Sequence, residues 1–249
     1  MRRFHESTLV RLLAISTITA LMFGCSSQTQ VPAPDARPSI TGTWLYTGGP
    51  LKPSNGEDVP LTPWAAERLK EQRISGQDFR DTTDPSLLYA DPNGYPRISM
   101  HPMRFKLLVT DDYVYQLWEY NQNWRQITLN KPHDEDLAPA WYGDAVGKWE
   151  GDTLVVDSTG YKDTTWLDSQ AHPHSESLHI VERIHRSGDT LLVDLTFDDP
   201  KAYTKPWSSQ LKYKLAPDGS MTETIYTISD ELRFRERFLN QKATIPIRR

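Results

Sequence analysis

The residues best placed to do chemistry in this chain are two carboxylates and an arginine set among apolar neighbours. In Leu178–His185, Glu182 shares alternate positions with Leu178, Ile180 and Ile184. In Tyr113–Tyr120, Glu119 follows Tyr113, Tyr115 and Leu117 at the same period, and in Trp124–Leu129, Arg125 shares a face with Ile127 and Leu129. A period of two puts such residues on one side of a β-strand. If those sides line a core, two carboxylates and a guanidinium point inward together. Each then needs a counter-charge or a polar ligand, because a lone buried charge is strongly destabilising. Three readings stay open: an internal ion-pair network that fixes the strands, a binding or acid–base constellation, and an outward salt-bridge ladder.

Histidines are the second clue. Five of the seven, His101, His133, His172, His174 and His179, lie between positions 101 and 179. Histidine titrates near neutral pH, so His133 and His174, in stretches between strands, are candidates for proton transfer beside Glu182 and Glu119. His172-Pro173-His174 is similar to the H-x-H of cupin metal sites, but Leu178 and His179 stand where such a site needs a glutamate. No metal ligand set is therefore expected. The chain has no G-x-S-x-G and no phosphate-cradling glycine loop, and its one cysteine lies in the leader, so neither nucleophilic catalysis nor a cofactor is expected. Trp141, Tyr142 and Trp207 fall between strands, where aromatics suit an apolar or ring-shaped ligand. Arg97, Arg125 and Arg183 complete the candidate ligand contacts.

The elements that must carry these residues announce themselves as hairpins. Trp141–Tyr161 reads strand, turn, strand, with Val146–Glu150 and Thr153–Asp157 flanking Gly151-Asp152. Glycine at the first central position suits a type II′ turn, whose twist matches a hairpin. GDTLVVD at 151–157 returns as GDTLLVD at 188–194, so one hairpin design is used at least twice. Further strands are expected at Phe105–Thr110, Tyr113–Tyr120, Trp124–Leu129, Leu178–His185 and Thr190–Phe197, and at Ser209–Leu215 paired with Met221–Ile228 across Pro217-Asp218-Gly219. The period-two alternation of Leu232–Phe238 favours a last strand. Turn tips at 111, 151, 188 and 218 predict an all-β, antiparallel up-and-down sheet of about eight to ten strands, curled into a barrel to remove its edges. Gly42-x-Trp44 opening the first strand resembles the start of lipocalin-like barrels, where the tryptophan plugs one end. One short helix is predicted at 63–73, with Thr62 as N-cap, Pro63 at its first position and Gly76 to end it, as a lid on one end. Residues 77–97 read as a long loop.

Composition bounds the setting. Arg2, Arg3 and Arg11 precede the uncharged run Leu12–Phe23, and Gly24-Cys25 follows, which is a secretory signal too short to span a membrane. Leu21-Met22-Phe23-Gly24-Cys25 resembles a bacterial lipoprotein box, in which the cysteine receives the lipid. Phe23 stands where that box has a small residue, so a plain signal peptide is the alternative. Cys25 is the only cysteine, which rules out a disulfide within the chain and fits lipidation. By the same resemblance, Ser26 favours the outer membrane. Removing residues 1–24 takes away three arginines and one glutamate, so the formal charge goes from −5 to −7. A chain this acidic is a poor partner for nucleic acid. Residues 25–39 read as a tether carrying the lipidated cysteine, and 40–249 as a single barrel domain.

Asn93-Gly94-Tyr95-Pro96-Arg97, Gly147–Asp157, His174-Ser175-Glu176 and Glu182-Arg183 resemble a widespread family of exported bacterial proteins whose hallmark is G-x-W-E-G-D-T-L-V-V-D. Asp199-Pro200 and Lys205-Pro206-Trp207 continue the likeness, which spans 92–207. Ala90 departs from the cysteine often found in that family's loop. The resemblance implies a fold and an exported location but no activity. The expectation is thus a lipid-anchored envelope protein facing the periplasm that binds a small apolar or aromatic molecule in its barrel. The alternative is a cofactor-independent hydrolase, lyase or isomerase that uses a Glu/His pair.

Overall fold

Two-residue turns set the pairing. At Gly151 and Gly188 φ is +65° and +58°, while the aspartate that follows each keeps a negative φ, as a type II′ turn requires. Residues 39–72, 82–134 and 136–239 are described by the computed structural model. In them the turns join β5 (Asp144–Glu150) to β6 (Thr153–Thr159), and β7 (His179–Ser187) to β8 (Thr190–Asp198). Asp111-Asp112 likewise joins β2 (Arg104–Val109) to β3 (Tyr113–Trp118). With β1 (Gly42–Tyr46), β4 (Trp124–Leu129) and β9 (Trp207–Leu215), nine strands close into one barrel, lipocalin-like in general form.

Closure has a geometric consequence. Neighbours in a closed ring can all be antiparallel only if the strand number is even, so nine strands must include a parallel joint. It falls between β4 and β5, where only Thr128↔Val146 and Leu129↔Gly147 pair. All other neighbours are antiparallel, including the closing pair β1–β9. Gly147 lets the two strands approach, because a Cβ there would lie 2.9 Å from Ile127 Cγ2. The connection 130–143 must therefore run the length of the barrel. The hairpin turns sit at one end of the barrel, whereas the connections before β2, after β3, after β6 and after β8 leave from the other, which we call the mouth.

Three expectations fail, each for a readable reason. Met221–Ile228 does not pair with β9, whose free edge goes to β1 instead; Thr224 makes one isolated bridge to Tyr120. Leu232–Phe238 is not a strand but part of α3, the helix Ile228–Leu239. Its start carries a reciprocal cap: the Thr227 hydroxyl and N–H donate to the Asp230 carboxylate, and Asp230 N–H donates back to Thr227 Oγ1. That local signal outweighs a period-two pattern only seven residues long. In β3 it is Val114, Gln116 and Trp118 that are buried, so Glu119 does not share the interior face. Both faces of β3 carry large apolar side chains, and alternation alone has no contrast to read. Its pairing with β4, which sets Gln116 opposite Arg125, decides the phase.

The interior is filled by side chains. Trp44, Tyr95, Ile98, Tyr161 and Phe197 are fully buried, with Tyr95 and Ile98 delivered by the segment that includes the 3-10 turn Arg97–Met100. Trp44 Nε1 donates to the Ile40 carbonyl and Arg186 stacks over its ring, so the tryptophan closes the hairpin end. Helix α1 (Pro63–Glu71) takes Thr62 as its cap as expected, and it docks on the mouth loops through Thr62 N–H to the Ala202 carbonyl and Arg68 to the Asp163 carbonyl. The loop expected at 77–97 contains α2 (Pro85–Leu88), a turn of helix capped by Asp84. Gly76, like Cys25 and the rest of the expected leader and tether up to residue 38, lies outside the described residues.

Candidate functional site

Inward faces of β4, β6 and β7 converge below the mouth. Arg125 Nη2 lies 2.8 Å from Glu182 Oε1, and both side chains are almost wholly buried, at 1% and 0% exposure. The same guanidinium donates to Ser158 Oγ (2.7 Å) and to Gln116 Oε1 (3.1 Å), and Ser158 Oγ donates to Glu182 Oε1 (3.2 Å). The Tyr95 hydroxyl donates to the other oxygen of Glu182, and its ring lies 3.9 Å beneath the Arg125 guanidinium carbon. Burial works against the charge of Arg125, but Glu182 beside it outweighs that and raises the pKa. Burial and the Glu182 charge push the Tyr95 hydroxyl well above its ordinary value, so it stays a donor. Glu182 thus has partners on both oxygens, as an internal ion-pair network demands.

His174 does not join Glu182. Its Nδ1 lies 3.1 Å from the Ser175 carbonyl, which can only accept, so Nδ1 carries the proton and Nε2 accepts from Thr165 Oγ1 at 2.7 Å. Burial lowers its pKa and holds the ring neutral. His172 turns the other way, onto Asp168 at 2.9 Å, so the two rings of His172-Pro173-His174 do not converge. Ser175 is tied to Asp199 through its N–H and its hydroxyl, a loop clamp that the sequence did not reveal.

The remaining candidates scatter. Glu119 accepts from Arg104 N–H and Thr222 N–H, pinning the segment after β9 to the barrel wall. Arg97 pairs with Asp84 and stacks 5.3 Å over Trp166, while Arg183 faces outward onto Glu150. Trp207 is buried and stacks on Phe197 at 4.4 Å. His133 sits outside the barrel between Asp144 Oδ2 (2.6 Å) and Asp157 Oδ1 (3.2 Å), with His179 sharing the latter oxygen at 2.8 Å. Partial burial opposes its charge, but the hydrogen bonds to both carboxylates prevail and raise its pKa. It pins the β4–β5 connection to the wall.

Arg125, Trp141 and Tyr142 do come together, at the parallel seam. Leu129 N–H donates to the Asp112 carbonyl on the β3 side, and Asn130 N–H donates to the Gly147 carbonyl on the β5 side. By alternation the main-chain groups of Arg125 and Ile127 face β3, while those of Trp124 and Gln126 face β5. The β4–β5 pairing, however, stops at Thr128. Above that point the strands part, and a cleft of about 350 Å³ opens between Trp124, Gln126 and Thr128 on one side and Ala140–Ala145 on the other, with Arg125 also in its lining. Trp124 is 58% exposed. Lys162 stands 4.6 Å over the Trp141 ring, and Tyr142 stacks on Trp118 at 5.8 Å. The strand pattern alone carries no sign of the cleft, because it depends on which pair of strands takes the parallel joint.

No protein-family model and no curated protein matches the chain. Among solved structures, a SAHS (abundant heat soluble) protein from Ramazzottius varieornatus is similar over 71% of this chain and 95% of its own, at 12% identity and a TM-score of 0.35. The fold assignment rests on this chain's own strand ladder and not on that likeness.

Glu182→Gln leaves Arg125 charged in a dry site, so the loss should be about 3–5 kcal/mol, read as a melting temperature lower by roughly ten degrees. An unchanged melt would show that the pair does not hold the barrel. The His133 clamp has its own pH signature. A raised folded pKa gives stability that is complete below the unfolded value of about 6.5 and is lost as pH rises through the folded value. Wild type should therefore lose stability over that window relative to His133→Gln, and parallel pH–stability curves for the two proteins would refute the clamp.

Proposed function

We propose that this protein is a binding module of the cell envelope that takes a small apolar or aromatic molecule at the β4–β5 seam. The carrying observation is the cleft itself: a gap in an otherwise continuous ladder, walled by Trp124, Trp141 and Tyr142. Binding sites are concave and lined mainly by apolar and aromatic groups with a few polar ones, and the seam has that make-up. The barrel interior is occupied by Tyr95, Ile98 and Tyr161, which favours the seam over the interior as the place for a ligand. Binding is preferred to acid–base catalysis because both nitrogens of His174 are spent on Thr165 and Ser175, and both oxygens of Glu182 on Arg125, Ser158 and Tyr95.

The envelope setting rests on the leader. Its basic start, apolar run and Gly24-Cys25 support export and a lipid, palmitate among its chains, on Cys25 that anchors the protein to the outer membrane facing the periplasm. The likeness of Gly147–Asp157 and its companion motifs to an exported bacterial family supports the same setting. Cys25→Ser should move the protein from the membrane fraction to the soluble envelope fraction, and a mutant that stays with the membrane would remove the anchor from this account.

Binding is checked by titrating naphthalene-sized aromatics against tryptophan fluorescence. Trp124→Ala should weaken binding at least about tenfold. Its melting temperature should hold, since the side chain is largely exposed. Equal affinity in the variant would place the ligand elsewhere.

A further inference from the structure

Buried polar atoms without a hydrogen-bond partner are uncommon in folded proteins, and each calls for a reason. Two residues that line the seam cleft each carry an atom with no partner among the described residues: Arg125 at Nε and Tyr142 at its hydroxyl. A third, Trp118 Nε1, belongs to the ring stacked on Tyr142. Arg125 and Trp118 are buried to 2% and 3% exposure. Nε–H of arginine and Nε1–H of tryptophan can only donate, and a tyrosine hydroxyl can donate as well. The unmet need is therefore for an acceptor, on residues that border the opened ladder.

Charge decides what kind of acceptor. The guanidinium of Arg125 is already neutralised by Glu182 at 2.8 Å. Asp144, clamped by His133, adds a further carboxylate to the cleft wall. An anionic head would thus be buried without a free counter-charge, which is costly. Lys162, outside the cleft lining, stands over the face of Trp141. A neutral oxygen meets the donors with no such penalty, and the flanking tryptophans suit a flat apolar body behind it. Tyr142 lies on the connection before β5, outside the strand ladder.

Resting on the seam as the binding site, we infer that the ligand is a neutral aromatic carbonyl compound, such as an aryl ketone, quinone or ester, whose oxygen accepts from Tyr142 and from Arg125 Nε–H.

The test uses the domain carried in the full chain and three probes of one shape: 2-acetylnaphthalene, its isostere 2-isopropenylnaphthalene, which lacks the acceptor, and 2-naphthoate. Wild type should bind the ketone about tenfold or more tighter than the alkene, as a hydrogen bond in a dry site allows, and also tighter than the carboxylate. Tyr142→Phe should keep its affinity for the alkene and bring the ketone to within about threefold of it. That variant should melt at the wild-type temperature or above, because it removes an orphaned hydroxyl. Equal binding of ketone and alkene by wild type would overturn the carbonyl inference while leaving the seam site standing. Tightest binding of the carboxylate would overturn it in favour of an anion held by Lys162. A markedly destabilised Tyr142→Phe would show that the hydroxyl has a structural partner, and would overturn it too. Failure of all three probes to bind, or binding insensitive to Trp124→Ala, would instead refute the seam as the site.

Discussion

A ring of nine strands cannot alternate all the way round. This parity constraint shapes the molecule more than any single contact. It obliges one pair of neighbours to run parallel, and the chain meets it between β4 and β5 with only two paired residues on each strand. A parallel joint needs a long connection, so 130–143 returns along the wall and is fastened there by His133 and by Ala140 to Gly160. It also leaves the upper part of β4 without a neighbour on its β5 side. An open stretch of strand is a liability unless it is covered or used. Here aromatic side chains border it on both sides.

The buried pair Arg125–Glu182 is what allows a ring with so weak a joint to hold its shape. It links β4 to β7, and through Ser158 and Gln116 it also engages β6 and β3. Tyr95 brings the mouth segment into the same network. A pair of this kind adds little net stability compared with apolar packing, but losing one partner is severe. Its value is in register: it ties strands on both sides of the seam to one point. The same arginine lines the cleft, so the support of the fold and the proposed recognition surface share a residue.

Much of this was legible beforehand. The repeat of GDTLVVD and GDTLLVD marked two hairpins, and the isolated charges at Glu182 and Arg125 on apolar faces left an internal ion-pair network as one of three open readings. Glu119 misled because β3 is apolar on both faces, so its phase is set only by its partner strand. Thr227 and Asp230 held a capping signal that would have turned Leu232–Phe238 from strand to helix. Trp141 and Tyr142 stood out as aromatics between strands, but Trp124 read only as part of a strand. Their meeting depends on which neighbours run parallel, a tertiary choice that propensity and alternation do not encode.

The β4–β5 ladder ends at Thr128 and leaves Gln126 facing an open seam. Residue-resolved amide hydrogen exchange, read by NMR on the ligand-free protein, tests this directly. The amides of Arg125 and Ile127, bonded to β3, should be strongly protected, while that of Gln126 between them should exchange far faster. Protection of Gln126 equal to that of its two neighbours would contradict the account, for it would mean that β4 and β5 pair along their length and no seam is open.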